Sequence, residues 1–333
     1  METQLRPLTV GELLDRTAQL YRTHFLLFAG IAAVYTTVVL ALGLLDVAAG
    51  AGFKALHMDL AHLMAARMWS WPSYAVMLIV GSVAAAANNR AVAWIYLGQP
   101  ATIAGAYGSI KQHTGRYLWL GTLKVLIAWL PLLIVNIASS FNYLYFLGKG
   151  MLPQPGQMPA PHTVPGPQEI LFLLVTMAIG LVFFPVAIYS VWMGLRYSLA
   201  VPASVVEGLA ARKSLRRSAE LSKGARGGIL GLWGVVVAIE IILGVFTQGF
   251  FMVYAFRHHY DMPVSMLALQ QVIGFFTNTF ATPIVQIGET LFYFDQRVRK
   301  EGYDIEWMMQ AAGMMPALKQ AVLPAEPRTG DPA

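Results

Sequence analysis

Six polar residues recur at helical spacing in an apolar segment near the C-terminus of this chain. Intervals of three, four and seven residues place side chains on one face of an α-helix. In apolar surroundings such a face either forms an internal network of hydrogen bonds and ion pairs or lines a path for a polar ligand. The residues are Gln271, Asn278, Thr282, Gln286, Glu289 and Tyr293.

The rest of the sequence offers no familiar catalytic or metal-binding pattern. It contains no HExxH, GxSxG or P-loop motif, and the absence of cysteine excludes a disulfide framework and a thiolate nucleophile. His57, Asp59 and His62 do not share a helical face at the four-residue spacing of a metal-binding pair, so we interpret them as surface residues. We therefore expect no catalytic residue, no metal and no cofactor.

The composition defines the class of protein. Apolar residues make up 57% of the 333 residues and charged residues only 12%, which is roughly half the charge of a soluble domain. The mean hydropathy is +0.57. These values exclude a soluble globular enzyme, a disordered chain and a coiled coil. The sequence predicts an all-α integral membrane protein.

Six apolar segments are long enough to cross a bilayer, which takes about 20 helical residues. We predict one six-helix membrane domain over residues 1–315 and a flexible cytoplasmic tail over 316–333, in which the residues after Pro324 have no periodicity. The predicted spans are 25–45, 71–97, 117–141, 170–195, 229–256 and 269–294.

Charged residues inside these spans demand partners. An isolated charge at the bilayer centre costs about 2.5–3.5 kcal/mol on insertion scales, so such groups face the bundle interior or a water-filled cavity. We predict an intramembrane polar cluster in which cations compensate the two carboxylates. Its purpose is open at this point: it could order the bundle, or it could form a substrate or ion path. The cluster comprises Arg90, Lys124, Glu240, Gln286 and Glu289.

The distribution of basic residues predicts the orientation. Most of the 23 Lys and Arg residues fall in the N-terminal segment, the second and fourth connections and the C-terminal tail. Because cytoplasmic loops carry the excess of Lys and Arg, both termini are predicted to be cytoplasmic. A basic connection on that side should lie against anionic lipid head groups. Its predicted lipid-facing residues are Arg212, Lys213, Arg216, Arg217, Lys223 and Arg226. The basic charge does not indicate nucleic-acid binding, because no binding module accompanies it.

An amphipathic cytoplasmic helix should precede the first, third and fifth spans. The helix before the first span shows the pattern. Thr9 and Glu12 have the spacing of a capping box at the start of a helix. Similar starts follow Thr102 and Val206–Glu207, at intervals of roughly a hundred residues. We interpret this recurrence as an internal repeat of three units, each a surface helix followed by a pair of spans.

Four phrases together resemble the bacterial glycerophosphoryl diester phosphodiesterase membrane-domain family. They run from Leu5 to Phe28, from Asn89 to Tyr107, from Arg196 to Gly224 and from Tyr293 to Met308. The resemblance implies a multi-helix module of the bacterial plasma (inner) membrane with no known catalytic residues of its own. A fused phosphodiesterase barrel takes about 250 residues, and no stretch outside the spans is that long, so we expect no phosphodiesterase activity.

Two functions follow from these observations. The first is a non-enzymatic scaffold or accessory protein for envelope or lipid processes, with membrane lipids and a membrane protein as partners. The second is a transporter or lipid-handling protein that uses an inward-facing polar cavity. A water-filled cavity among the charged residues would favour the second function, and a closed, fully paired cluster would favour the first.

Overall fold

A computed structural model describes residues 6–55, 60–148, 166–258 and 262–305. Within these ranges all regular secondary structure is helical. The predicted tail, 316–333, and two of the surface residues, His57 and Asp59, lie outside the described residues. The helices are α1 (Val10–Thr23), α2 (Phe25–Ala55), α3 (Leu60–Tyr96), α4 (Ile103–Lys111), α5 (Thr114–Lys124), α6 (Leu130–Gly148), α7 (Pro167–Tyr197), α8 (Ala200–Val206), α9 (Ala211–Ser222), α10 (Arg226–Arg257) and α11 (Val264–Glu301), with a π-helical turn (Val125–Trp129) between α5 and α6.

Within the described residues, four helical segments are long and apolar enough to cross a membrane: Phe25–Gly52, Thr114–Tyr143, Pro167–Val206 and Arg226–Arg257. The second runs from α5 through the π-helical turn into α6, and the third covers α7 and α8. Large apolar side chains on their outer faces are exposed, among them Leu26 (80%), Leu181 (77%) and Phe246 (79%). Exposed apolar surface of this extent is stable only against lipid or a partner. The protein is therefore a membrane protein whose described residues form an all-helical fold.

The two remaining predicted spans, 71–97 and 269–294, lie largely within α3 and α11. Both helices carry polar residues that reduce their apolar character: Asn88, Asn89 and Arg90 in α3, and the polar face described above in α11. These residues are buried against other helices at several positions. The count of six spans stays a prediction.

The start of α1 confirms the predicted capping box. The Thr9 hydroxyl accepts a hydrogen bond from the Glu12 amide at 3.3 Å, and the Glu12 carboxylate accepts one from the Thr9 amide at 2.8 Å. Thr102 caps α4 in a related way, through the Gly105 amide at 3.1 Å. Helix α9 differs, because Glu207 ends α8 and Gly208, at φ +67°, turns the chain before α9 begins at Ala211. The threefold repeat stays a prediction.

The π-helical turn has a local cause. Pro131 lacks the amide proton that would bond to the Ile127 carbonyl, and its ring crowds that carbonyl in a regular α-helix. The helix widens over Val125–Trp129, immediately before this proline. Such widened turns change which residues face a neighbouring helix, and they are frequent at functional sites. Here the turn begins directly after Lys124.

Helix α11 lies at the centre of the fold. It packs against α1, α2, α3, α8, α9 and α10. Its buried residues concentrate in its second half, where Ile287, Tyr293 and Phe294 are fully buried. This half also contains most of the polar contacts that hold the other elements in place.

Candidate functional site

A cavity of about 450 Å³ lies between α2, α3, α5, α8 and α11. Its volume is within the range of about 300–1,000 Å³ that is usual for ligand pockets. Part of its wall is apolar, formed by Val39, Met77, Val125, Trp129 and Val201. The polar part consists of Tyr35, Ser82, Lys124, Asn278, Thr282, Gln286 and Glu289.

The polar face of α11 supplies four of these side chains. At about 1.5 Å per residue, the stretch from Asn278 to Glu289 extends for about 16 Å along the helix axis. The two ends of the predicted face point elsewhere. Gln271 approaches Gly43 of α2, and the Tyr293 hydroxyl donates to Glu207 at 2.6 Å. The cavity therefore uses the middle of the face.

Lys124 and Glu289 bring opposite charges to this cavity. One oxygen of the Glu289 carboxylate accepts a hydrogen bond from the Trp233 indole N–H at 3.1 Å. Lys124 lines the same cavity from α5. Among the described residues no direct ion pair joins the two groups, and no hydrogen bond from the Lys124 ammonium is found. Both charges are thus available to a polar guest in the cavity.

Arg90 is not part of this arrangement, although it was predicted to compensate a carboxylate. Its side chain is buried, and it interacts with Tyr117 and Arg116 on α5. Within the described part of the chain its Nε has no hydrogen-bond partner. It does not line the cavity; the residues of α3 that do so are Met77, Gly81, Ser82 and Ala85.

Glu240 also lies apart from the cavity. Helix α10 buries Ile229, Leu232 and Val236 in its first half and then only Phe251 and Ala255. Glu240 lies between these two groups and its side chain is exposed, next to Ile241 (62% exposed). The position of Glu240 along the predicted span could not show that its side chain is exposed. Exposure depends on how closely α10 packs against the other helices at that point.

Two amide residues of α3 that sequence reasoning had left aside hold α11 in register beside the cavity. The Asn88 amide group donates to the Gln286 side chain, and Asn89 pairs with the Thr290 hydroxyl at 2.9 Å. All four side chains are buried. The Asn-Asn pair inside an apolar run was the only signal for this contact, since buried amides need partners on a neighbouring helix.

A second polar cluster joins α8, α9 and α11 at the predicted cytoplasmic end. Arg217 donates through Nε to both Glu207 oxygens at 2.9 and 3.0 Å, and through Nη2 to Glu301 at 2.7 Å. Arg297 adds a bond to Glu301 at 3.1 Å. Burial alone would raise the pKa of Glu301, but the hydrogen bonds from the two arginines outweigh it, and the net pKa is lowered. We call these residues, with Tyr293, the ionic cluster.

The N-terminal segment is attached to the same end of α11. The Leu8 amide donates to the Asp295 carboxylate at 2.7 Å, and Arg299 bridges the Leu8 carbonyl and Asp295. Lys300 donates to three carbonyls at the end of α9, those of Glu220, Leu221 and Lys223. Positive charge at a helix C-terminus is favourable because the last carbonyls have no partner within the helix.

The basic connection is only partly available to lipid. Arg217 belongs to the ionic cluster, where it bonds to Glu207 and Glu301, and its contact with lipid stays a prediction. Arg226 lies against the Trp192 ring, with its guanidinium carbon 4.4 Å from the ring centre. The exposed members of the predicted set are Arg212, Lys213, Arg216 and Lys223.

The described residues contain no group of three or more His, Asp or Glu side chains that could hold a metal ion. Comparison of the chain with protein-family models, with curated proteins and with solved structures finds no match. The resemblance to the glycerophosphoryl diester phosphodiesterase membrane-domain family therefore stays an expectation.

Proposed function

We propose that this chain is a non-enzymatic integral membrane protein whose intramembrane cavity binds a small polar solute or the polar head of a lipid. The observation that carries the proposal is the cavity between α2, α3, α5, α8 and α11, to which Lys124 and Glu289 bring unjoined opposite charges. A protein that used these charges only to order its bundle would gain most by pairing them directly.

The proposal includes six crossings of a bacterial plasma membrane, with both termini in the cytoplasm. The contact of Leu8 with Asp295 supports it, because two segments that touch at one end of a bundle require an even number of crossings between them. The long helices α3 and α11 supply the second and the sixth crossing, in addition to the four apolar segments. The excess of basic residues at this end supports the cytoplasmic side. The family resemblance is retained as part of the proposal.

The cavity can be tested by cysteine labelling, because the chain has no native cysteine. Thr282→Cys places a thiol in the cavity, and Phe246→Cys places one on the exposed apolar face. We expect a charged, water-soluble thiol reagent to modify position 282 and to leave position 246 unmodified in lipid nanodiscs. An unreactive thiol at position 282 would show that the cavity is closed to water, and the proposal would then fail.

A scaffold function is a second candidate, and the exposed basic residues of α9 favour it. The ionic cluster fixes this helix, so that Arg212, Lys213 and Arg216 form a firm basic surface. Near a membrane each such residue contributes about 1 kcal/mol of attraction to anionic lipid. Replacing all three with Gln should weaken the binding of the detergent-solubilised protein to vesicles containing phosphatidylglycerol. Unchanged binding would remove the support for this candidate.

A further inference from the structure

The cavity presents two opposite charges on different helices, and neither is satisfied by the other. Trp233 bonds to only one of the two Glu289 oxygens. The Lys124 ammonium has three donor hydrogens, and among the described residues it makes no hydrogen bond. Charges at this depth require partners. A guest that supplies both an anionic and a cationic group would satisfy the two at once.

We infer that the ligand of the cavity is a zwitterion, with its anionic group at Lys124 and its ammonium group at Glu289. This inference rests on the proposed function and names its ligand class. A purely anionic guest would leave Glu289 uncompensated and would be repelled by its charge. A purely cationic guest would leave Lys124 uncompensated and would be repelled by the ammonium group. A neutral guest would leave both charges without partners.

The remaining walls fit a ligand that is polar at one side and apolar at the other. Gln286 and Asn278 carry amide groups that can both donate and accept hydrogen bonds. Val39, Met77 and Trp129 offer apolar contact on other walls. This division suits a short zwitterion attached to an apolar part.

Two sources supply this chemistry: the ethanolamine phosphate head of an aminophospholipid, and a free zwitterionic solute. The volume of about 450 Å³ accommodates a head group but not two acyl chains. A lipid would therefore leave its chains between the helices or in the surrounding bilayer. A free solute would enter whole.

Native mass spectrometry of the full chain can test the inference. The purified protein is incubated with phosphatidylethanolamine or phosphatidylglycerol of identical acyl chains, and the bound lipid is quantified. We expect a preference of about tenfold or more for the zwitterionic lipid, which corresponds to the loss of one charge partner. Soluble phosphoethanolamine is added as a competitor. Displacement of the lipid, or direct binding of phosphoethanolamine alone, indicates a free zwitterion as a ligand, and retention of the lipid indicates a head group with its chains.

Matched variants separate the cavity from the general surface. Lys124→Met and Glu289→Gln should each lose the preference, and Lys124→Arg should retain it because the charge is kept. Lys111→Met and Glu240→Gln remove exposed charges of the same types outside the cavity and the basic surface of α9, and should change nothing. Only variants that elute as monodisperse protein with a cooperative melting transition are compared. If Lys124→Met does not fold, the comparison rests on Glu289→Gln, which should lose the preference, and on Lys124→Arg, which should keep it.

The outcomes distinguish this inference from the proposed function. Equal binding of both lipids, together with a reactive Thr282→Cys, would overturn the zwitterion and leave an accessible cavity. A preference that persists in Glu289→Gln and Lys124→Met would place the lipid elsewhere on the protein and would also overturn it. An unreactive Thr282→Cys would remove the proposed function itself.

Discussion

Arg217 and Glu207 form an ion pair with a bifurcated hydrogen bond, in which the Nε–H of the arginine donates to both carboxylate oxygens at 2.9 and 3.0 Å. The same guanidinium reaches Glu301 on α11 at 2.7 Å. Glu207 lies at the end of α8 and Arg217 in the middle of α9, and Glu301 ends a helix that begins on the opposite side of the bundle. One side chain thus ties a surface helix to the central helix of the fold.

Replacing this arginine should destabilise the protein measurably. Arg217→Met leaves the partly buried Glu207 without its cation and leaves Glu301 with Arg297 alone. Hydrogen bonds to charged groups contribute about 1.5–3 kcal/mol. The neighbouring residue Arg216 is exposed, so Arg216→Met is the matched control. We expect a clear decrease of the melting temperature in detergent for the first variant only. Equal decreases for both would mean that Arg217 acts only as surface charge.

The ionic cluster should make stability depend on acidity. The pKa of Glu301 is lowered in the folded protein, because the bonds from Arg217 and Arg297 outweigh the effect of burial. A lowered folded pKa gives stability that is present above the unfolded pKa, about 4.3, and is lost as the pH falls through the folded pKa. The Glu301→Gln variant should therefore lose less stability than the parent between about pH 5 and pH 3.

Melting curves across this pH range will measure the difference. The exposed residue Glu220 provides the control, since Glu220→Gln should retain the slope of the parent. Glu12 contributes in the same direction. Hydrogen bonds from the Thr9 backbone, Arg6 and the Thr9 hydroxyl lower its pKa to about 2. A slope in Glu301→Gln identical to that of the parent would contradict the assignment.

The hydrogen bond between Asn89 and Thr290 should be worth more than an intrahelical one. Thr290→Val removes the hydroxyl without a large change of shape and leaves the buried Asn89 amide with one partner fewer. Interhelical bonds of this kind contribute about 0.5–2 kcal/mol in membranes. Thr277→Val is the control, because the Thr277 hydroxyl bonds to the Ile273 carbonyl of its own helix. Thermal melting should show a loss for position 290 and little change for position 277.

Gly121 should tolerate no side chain, because α3 and α5 approach closely there. A Cβ atom at this position would lie 2.5 Å from the Ser82 hydroxyl and 3.1 Å from the Ile79 carbonyl. Overpacking of this kind costs about 1–3 kcal/mol. Gly244 on α10 has no atom within 4 Å of the corresponding site. We expect Gly121→Ala to lower the melting temperature and Gly244→Ala to leave it unchanged or higher.

Features that depend on periodicity could be predicted from the sequence. The polar face of α11 follows from its spacing, and four of its residues do line one cavity. The capping box at Thr9 and Glu12 follows from residues three positions apart. Each of these patterns is contained within one helix, where the backbone geometry fixes which side chains are neighbours.

Features that depend on neighbouring helices could not be predicted in this way. Arg216 and Arg217 are adjacent and chemically identical, yet only Arg217 meets carboxylates. A signal was present in Ser214, Ser218 and Ser222, whose four-residue spacing marks the buried face of α9; Arg217 lies beside that face. The sequence predicts the same role for Glu240 and Glu289, because the position of a residue along a span does not show which side of the helix faces the bundle. Only the packing of α10 shows that the first is exposed.

The attachments to α11 have a consequence for how the protein is made. The N-terminal segment, α3, α9 and the turn after α8 all bond to side chains between Gln286 and Glu301, near the end of the chain. During translation these segments leave the ribosome before their partners exist. Before residues 286–301 have been synthesised, the amide and charged side chains of the earlier helices therefore lack these hydrogen-bond partners. We therefore expect the helix bundle to become stable only after this stretch has been made.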